Sequence, residues 1–342
     1  MGNTAIVGEL AWDYIMLTPQ VTYYRIADRK ELCNRYLRHF FDGAAFQTVL
    51  DKLSGGGTRS YLGIVGQHAL PVALPPPEEQ RAIAEALSDV HALINALDAL
   101  ITKKRHIKQG TMQQLLTGKK RLSGYQSKNT TLIQTEAGTF PSDWELKALG
   151  NATSKIGSGI TPTGGSSVYR ASGRPFMRSQ NVGWGDLRLS EIAFLDEATH
   201  ATFLASEIEN QDVFLNISGA SIGRSAIADE RVVNGNVNQH VCIIRCIQDQ
   251  LVPKFLNFVL LSDYGQRKID SFQAGGNREG LNFGQIKSFD IPLPKVSEQK
   301  AIAAVLSDMD AEITALEQKR DKTKLIKQGM MQELLTGKTR LI

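Results

Sequence analysis

The chain has 342 residues, enough for two domains or slightly more, and its 42% share of hydrophobic residues is ordinary for a globular protein. Its formal net charge of +4 is too small to indicate a nucleic-acid partner by itself. No stretch has the apolar length of a transmembrane helix, no signal peptide opens the sequence, and position 6 lacks the Ser or Thr that myristoylation requires. Three cysteines are too few for a disulfide framework, so we expect a cytoplasmic protein with no membrane partner.

Residues 1–76 form a short segment of mixed character. The run Val-Thr-Tyr-Tyr-Arg-Ile at 21–26 predicts a strand, and residues 30–53 predict a helix. A run of three glycines at 55–57 would end this helix.

A segment of 44 residues occurs twice, at 79–122 and at 298–341, with 26 identical positions and a constant offset of 219. A period of this length is typical of a duplicated domain rather than of a solenoid. Each copy predicts one long helix, and Gly118 and Gly337 stand where a glycine would end it. Ser297 is the predicted N-cap of the second helix. The first helix would rise by roughly 58 Å.

Apolar residues in both copies recur at alternating steps of 4 and 3 residues, which is typical of a coiled-coil seam. The predicted seam consists of Ile83, Leu87, Val90, Ile94, Leu97, Ile302, Leu306, Met309, Ile313 and Leu316. Arg320 stands where the second stripe would continue. We expect the two helices to pack on each other as an antiparallel coiled-coil spacer.

The offset of 219 also relates residues that precede the helices, such as Leu37 and Leu256 or the glycines at 55–57 and 275–276. The repeated unit is therefore a globular piece followed by a long helix. Four segments follow: a remnant of a first globular domain at 1–76, a spacer helix region at 77–122, a complete globular domain at 123–294 and a second spacer helix region at 295–342. A complete first copy would begin about 97 residues before Met1, so we expect the first domain to be truncated.

The complete globular piece combines predicted strands at 175–178, 212–217 and 241–245 with predicted helices at 253–262 and 264–272. This order predicts an α+β fold with a long paired-helix spacer. Residues 123–294 carry 15 basic and 17 acidic side chains, whereas both helix regions are basic. A DNA-binding surface on this piece would therefore be a local patch.

Three motifs suggest catalysis or metal binding, and each has a simpler explanation. Residues 219–223 match the G-x-S-x-G elbow of hydrolases around Ser221, but the following residues do not predict the required helix, so a glycine turn between strands is favoured. His240, Cys242 and Cys246 lie along one extended segment, too far apart for a zinc site, and are expected to face the core. The glycine loop at 157–165 lacks the P-loop lysine. We therefore expect a binding protein without catalytic residues.

The paired runs at 107–119 and 326–338 repeat one another, and Pro75 and Pro294 each begin a Pro-x-x-x-Glu-Gln helix entry. In these features the sequence resembles the specificity subunit of type I restriction-modification enzymes, here with a truncated N-terminal part. In the globular piece, residues 141–145, 178–182 and 212–224 resemble a target recognition domain of that family.

The resemblance implies that two recognition domains each read one half of a bipartite site on double-stranded DNA, with the paired helices fixing the spacing. It also implies docking of methyltransferase subunits and, through them, of restriction subunits. S-adenosylmethionine, ATP and magnesium are expected in those partner subunits and no cofactor in this chain. A second copy of the chain is a further candidate partner, since a chain with one complete recognition domain would read one half-site.

Side chains that read bases need donors and acceptors on exposed loops. The candidate DNA contacts are Lys155, Arg170, Arg174, Arg178, Gln180, Asn181, Asn277 and Arg278. Asn277 and Arg278 are favoured because neighbouring glycines permit a close backbone approach. Ser158, Thr161 and Ser221 are candidate phosphate contacts. The alternative is a truncated scaffold that binds methyltransferase without productive DNA recognition.

Overall fold

The computed structural model describes residues 3–8, 11–53, 62–126, 130–135, 138–273 and 280–341. The helices are α1 (Asn34–Asp42), α2 (Ala44–Leu53), α3 (Ile64–His68), α4 (Pro77–Leu116), α5 (Glu197–Ala201), α6 (Pro253–Leu261), α7 (Asp263–Gln273), α8 (Phe283–Lys287) and α9 (Val296–Leu334). The strands are β1 (Leu132–Thr135), β2 (Gly138–Pro141), β3 (Glu145–Ala148), β4 (Thr153–Ser158), β5 (Arg174–Met177), β6 (Ala193–Leu195), β7 (Val213–Asn216), β8 (Ser225–Ile227), β9 (Asn236–Val237), β10 (Val241–Cys246) and β11 (Asp290–Leu293). This mixture confirms the expected α+β class.

The chain divides into a first unit, Met1–Lys103 with Glu312–Ile342, and a second unit, Lys104–Ala311. Helices α4 and α9 each contribute residues to both units. The predicted boundaries at residues 76, 122 and 294 describe the duplication and stay a prediction. Among the described residues, no helix has both the length and the apolar character needed to cross a membrane.

The long helices pack against each other in opposite directions, as predicted. In the first unit, Ile83 and Leu87 near the start of α4 share a buried cluster with Leu334 at the end of α9. In the second unit, Leu115 near the end of α4 shares a core with Leu306 near the start of α9. The antiparallel order follows from each unit separately.

The seam positions differ in how deeply they are buried. The buried ones are Ile83, Leu87, Ile94, Leu97, Ile302, Leu306 and Ile313. The half-buried ones are Val90, Met309 and Leu316. Arg320 interrupts the stripe and places its guanidinium 3.4 Å from Asp98 Oδ1 on α4 and 2.8 Å from Asp321 Oδ1.

The long helices end shortly before the predicted glycines, but the second one does not begin at the predicted serine. Gly118 and Gly337 adopt left-handed φ angles of 65° and 72°, where glycine is favoured. A Cβ on Gly118 would also lie 2.3 Å from Pro141 Cγ, so the turn excludes any other residue. Helix α9 begins at Val296, so Ser297 lies inside its first turn and the predicted N-cap is wrong.

The offset of 219 extends to hydrogen bonds. Gln80 accepts a bond from the Cys33 amide (2.9 Å) and donates to two backbone carbonyls, those of Glu31 and Pro75. Gln299 repeats all three bonds with residues 252, 250 and 294 of the second unit. A buried glutamine that satisfies its whole amide fixes the entry of each long helix against the segment before it.

A duplicated ion pair accompanies these glutamines. Arg340 binds Glu79 in the first unit, and Arg121 binds Glu298 in the second. Both carboxylates are only 2% exposed. Arg121 also bonds Asp143 at 3.0 Å and lies 5.4 Å from the Trp144 ring, whereas the Arg340 side chain is 55% exposed. The same arginine–glutamate ion pair therefore occurs in both units, and its arginine is less exposed in the second unit.

The offset of 219 residues also relates helices of the two units: α1 corresponds in sequence to α6, and α3 corresponds to α8. Residues 30–53 contain two helices rather than one, because the helix is interrupted at Gly43, between α1 and α2. The strand predicted at 21–26 is wrong, since these residues are irregular. No strand lies among the described residues of the first unit, so this segment has nothing to pair with.

The second unit is built on an antiparallel four-stranded sheet in the order β4-β10-β7-β8. Strand β10 is buried on both faces: Cys242 and Ile244 enter the core beneath α6 and α7, and Val241 and Ile243 enter a second core with β5 and β9. A three-stranded sheet, β6-β5-β9, covers that second face. The strands predicted around 175, 212 and 241 and both predicted helices are confirmed.

Candidate nucleic-acid interface

One end of the four-stranded sheet gathers loops from distant parts of the sequence. Strand β4 ends there, β10 begins there, and β7 turns into β8 there, because Cys242 pairs with Ser158 and Val241 pairs with Asn216. We call this region the loop end and define it as residues 159–164, 178–188, 217–224 and 238–240. The residue beside the undescribed segment 274–279 also lies here, since Gly280 bridges to Ser218.

Glycines shape the loop end where the backbone has no room for a side chain. A Cβ on Gly159 would lie 1.7 Å from the Val237 carbonyl oxygen. Gly219 and Gly223 have left-handed φ angles of 71° and 83° in the turn between β7 and β8. The G-x-S-x-G run is thus a glycine turn between two strands, and Ser221 lies in its short 3-10 helix.

Four polar side chains form a row across three loops of this end. Thr161 donates to the Gln239 side-chain oxygen, the Gln239 amide lies 3.3 Å from His240 Nε2, and His240 Nδ1 shares a hydrogen bond with the Ser218 hydroxyl. The His240 amide is held by Asn238 Oδ1 at 3.0 Å. Thr161 and Gln239 are exposed, so the row presents positioned donors and acceptors to solvent.

Two further groups at the loop end have features expected of a binding surface. Arg224 makes no side-chain hydrogen bond or ion pair within the described part of the chain, and its Nε is buried without a partner. The Trp184 side chain is 53% exposed beside Ser225, to which its backbone is bridged. A free guanidinium suits a phosphate or a guanine edge, and an exposed indole suits contact with a sugar or base.

At the opposite end of the sheet, charged side chains of the chain pair with one another. Arg245 forms a bidentate pair with the buried Asp212, at 2.8 and 2.9 Å, and also binds Glu209. Lys155 faces this network and donates to the Glu207 carbonyl at 3.4 Å. Burial, reinforced by Arg245, lowers the pKa of Lys155. The structure therefore places Lys155 in an ion-pair network rather than at the loop end.

The predicted contacts Arg170 and Arg174 are engaged by carboxylates at the start of α5. Arg170 lies 3.1 Å from Asp196, and Arg174 binds Glu197 through two nitrogens at 2.7 and 3.1 Å. The hydrogen bonds from Arg174 lower the pKa of Glu197. Both arginines would have to exchange these partners to bind DNA.

The predicted contacts at 178–181 adjoin the loop end through their backbone. Asn216, the last residue of β7, donates to the Ser179 carbonyl at 2.8 Å. Arg178 lies 5.2 Å from the Tyr169 ring and donates to the Glu191 carbonyl, and Asn181 is buried with its amide bonded to Arg188. Gln180 alone in this group is exposed. Asn277 and Arg278 lie outside the described residues.

The candidate contacts named from the sequence do not include Gln239, His240, Ser218, Arg224 or Trp184, which the structure places at the loop end. Arg224 and Ser218 fall within the motif at 212–224, so this motif was a usable signal. The cysteines behave as expected of core residues: burial raises the pKa of Cys242 and Cys246 to about 12. His240 departs from the expectation, since it is half-exposed in the polar row. Among the described residues, no group of three or more His, Cys, Asp or Glu side chains is arranged to hold a metal ion.

Comparison with known proteins finds similarity to specificity proteins of type I restriction-modification systems. The family model for the type I restriction modification DNA specificity domain matches residues 197–325. The chain is 28% identical over 306 residues to a putative type I restriction enzyme MjaX specificity subunit of Methanocaldococcus jannaschii, a match that covers 89% of this chain and 67% of the relative. It is 24% identical over 253 residues to the EcoBI specificity subunit of Escherichia coli, covering 71% of this chain and 52% of the relative. The chain thus spans between half and two thirds of these relatives' length.

Solved structures share the fold. The type I restriction-modification S subunit from M. genitalium superposes with a TM-score of 0.58 at 16% identity, covering 90% of this chain and 74% of that one. A structure concerned with complex assembly and conformational transition of the type I R-M system gives a TM-score of 0.54 at 18% identity, covering 90% of this chain and 72% of that one.

Proposed function

We propose that this chain, a relative of type I restriction-modification specificity subunits, is the DNA-recognition subunit of such a system and reads one half of a bipartite site. The observation that carries the proposal is the loop end, where donors and acceptors from three loops lie side by side on a rigid sheet. Binding groups held on a rigid sheet lose little conformational entropy when they bind. Segment 123–294 is then a target recognition domain.

The loop end reads sequence through the Thr161–Gln239–His240–Ser218 row. An amide such as that of Gln239 can bond an adenine edge in a bidentate manner, and serine or threonine hydroxyls bond either donors or acceptors. Arg224 holds the backbone phosphate beside this row and fixes the register of the protein on the duplex. Asn277 and Arg278 stay candidate contacts, and Gly280, the next described residue in the sequence, is bridged to Ser218 at the loop end.

The paired helices α4 and α9 act as the spacer and as the docking surface for methyltransferase subunits. These subunits supply S-adenosylmethionine and the methyl-transfer chemistry, and restriction subunits supply the ATP- and magnesium-dependent steps. This chain is then a non-catalytic subunit. Its own contribution is to bind, orient and select the DNA.

The decisive experiment combines the chain with its methyltransferase subunit and a library of random duplexes, and then sequences the methylated positions. We expect methylation confined to one defined half-site motif. Ser221→Ala should leave the methylated motif unchanged, because a phosphate contact carries no sequence information, and this separates DNA reading from hydrolase chemistry. A complex that forms but methylates every sequence equally would support the scaffold alternative and overturn the proposal.

A further inference from the structure

The duplication allows equivalent positions of the two units to be compared, and one site differs in charge. In the second unit, Lys108 Nζ lies 2.5 Å from Asp310 Oδ1 and 5.4 Å from the Phe258 ring centroid. The half-buried ammonium therefore has a carboxylate and an aromatic face as partners.

In the first unit, the position that corresponds to Asp310 is not a carboxylate. Lys327 corresponds to Lys108, but His91 stands in place of Asp310 and His39 in place of Phe258. Arg38, from α1, stands in place of Asn257 and adds a second permanent cation. Lys327, Arg38 and two imidazoles from α1, α4 and α9 thus act on one another, whereas the second unit sets Lys108 and Lys254 beside Asp310.

The charges that face this cluster do not balance. Asp42 of α1 is the acidic group that acts on His39, His91 and Lys327, and it lies 4.0 Å from Arg38 Nε while accepting the Thr4 hydroxyl. The cations outnumber it. Burial, followed by Lys327 and Arg38, lowers the pKa of His39 to about 4, and burial followed by the same cations lowers the pKa of His91.

Two buried nitrogens in the cluster have no hydrogen-bond partner within the described part of the chain. His39 is 4% exposed, and its Nδ1 is unpaired although its Nε2 bonds the Ser88 hydroxyl at 3.1 Å. Arg38 Nε is likewise buried without a hydrogen bond, and its ion-pair partner Asp42 lies 4.0 Å away. Buried polar nitrogens without a hydrogen-bond partner are rare in folded proteins.

We propose that Arg38, His91 and Lys327 form an anion site in the first unit, which takes a carboxylate from outside the chain at the place where Asp310 supplies one in the second unit. The ligand is an ionised carboxylate, carried either by an acidic side chain of a partner protein or by a small free acid. This site lies outside the loop end and does not depend on the DNA-reading role.

The test compares the wild-type chain with His91→Asp, which provides the missing carboxylate internally in the pattern of the second unit. The thermal midpoint is measured at pH 6.5 while sodium acetate replaces sodium chloride at constant ionic strength. We expect the wild-type midpoint to rise by about 2 °C, because a ligand that binds only the folded state stabilises it. His91→Asp should have a higher midpoint in chloride and no response to acetate.

Two further variants keep the test decisive. Lys327→Gln should abolish the acetate response without filling the site, and Asp310→His should create a response in the second unit. The C2 proton of His91 should shift with acetate while that of His106, exposed elsewhere on α4, should not. Equal acetate responses in the wild type and His91→Asp would overturn the proposal.

A second probe distinguishes between the two possible sources of the carboxylate, a protein side chain and a small free acid. An N-acetylated triglutamate amide is compared with acetate at equal carboxylate concentration. Tighter binding of the peptide indicates a protein side chain as the ligand, and equal binding indicates a small free acid. Inorganic phosphate as a stronger ligand than both would contradict the carboxylate assignment.

Discussion

Arg224 is the residue at which the proposed DNA contact is most directly tested. Its guanidinium has no side-chain partner among the described residues, so removing it breaks no side-chain bond to any of them. We expect Arg224→Gln to weaken binding to all duplex sequences alike and to reduce the slope of log affinity against log salt by about 1, as for the loss of one phosphate contact. Fluorescence anisotropy over a salt series measures both quantities.

The matched control is Arg174→Gln, since Arg174 is bound to Glu197 and lies away from the loop end. Its salt slope should equal that of the wild type. If the two variants changed the slope equally, Arg224 would have no special part in phosphate binding.

Gln239 should control sequence preference rather than general affinity. Its amide is positioned by Thr161 and His240, so it meets a base edge in a fixed orientation. We expect Gln239→Ala to reduce the preference for the cognate half-site by about 1–3 kcal/mol, which is roughly 5- to 150-fold, with little effect on non-specific duplexes. Competition binding with cognate and scrambled duplexes measures this ratio.

Gln113→Ala on the exposed surface of α4 serves as the control and should leave the ratio unchanged. A Gln239→Ala chain with wild-type discrimination would remove Gln239 from the reading row.

The contribution of Glu79 to the stability of the first unit should depend on pH. Hydrogen bonds from Arg340 hold the pKa of Glu79 below its ordinary value of 4.5 despite the opposing effect of burial. A carboxyl whose pKa is lower in the folded state stabilises the fold above its unfolded pKa, and this stabilisation is lost as the pH falls through the folded value. The midpoint difference between wild type and Glu79→Gln should therefore be constant from pH 7 to 5 and shrink below pH 4.5.

Thermal scans between pH 3 and 7 measure that difference. Glu78→Gln is a suitable control, since this neighbouring side chain is exposed. A difference that grew as the pH fell would contradict the ion-pair explanation.

At the scale of elements, the helix seam makes the clearest stability prediction. Leu87 of α4 is fully buried in a cluster with Tyr36 and Leu334, whereas Leu93 of the same helix is 45% exposed. Leu87→Ala should lower the free energy of unfolding by about 2–5 kcal/mol, because it removes buried methyl groups and leaves a cavity. Leu93→Ala should change it by less than about 0.5 kcal/mol.

Urea denaturation followed by circular dichroism compares the two variants. Because both substitutions delete the same atoms from the same helix, any difference in helix propensity cancels. Similar midpoints for both would mean that the seam does not hold the first unit together.

The elements that could be predicted from sequence are those whose signal is local. Periodic apolar residues specify α4 and α9, and a run of apolar residues specifies β10, so these were found. The prediction of a strand at 21–26 was wrong because a strand needs another strand as its hydrogen-bond partner. No strand is present among the described residues of the first unit. Gly43 broke a helix that residue propensities alone would have continued.

The candidate site was harder to predict because its contacts join distant residues. Arg174 and its partner Glu197 are brought together only when β5 pairs with β6. Thr161, Gln239 and Ser218 meet only because β4, β10 and β7 end side by side. No local pattern indicates which arginines are already bound and which are free. The placement of the loop end therefore required the register of the sheet.

At the scale of the whole molecule, the described residues include one four-stranded sheet with a loop end, and the proposed reading of one half-site sets the expected form of the target. We expect the methylated motif to contain a single half-site, or two copies of it as an inverted repeat where a second copy of the chain supplies the other arm. Two unrelated half-sites would contradict this expectation. Light scattering of the complex gives the number of chains, and sequencing of methylated DNA gives the motif.

The variant Gln239→Ala decides between the two forms without knowledge of the half-site sequence. In an inverted repeat, both arms are read by the same residue, so the variant should relax the same base position in both arms, by the same factor. With a single half-site, one position should relax and flanking sequence should stay without preference. Relaxation confined to one arm of a two-arm motif would mean that a different protein reads the other arm, and the complex would then contain a second kind of recognition subunit.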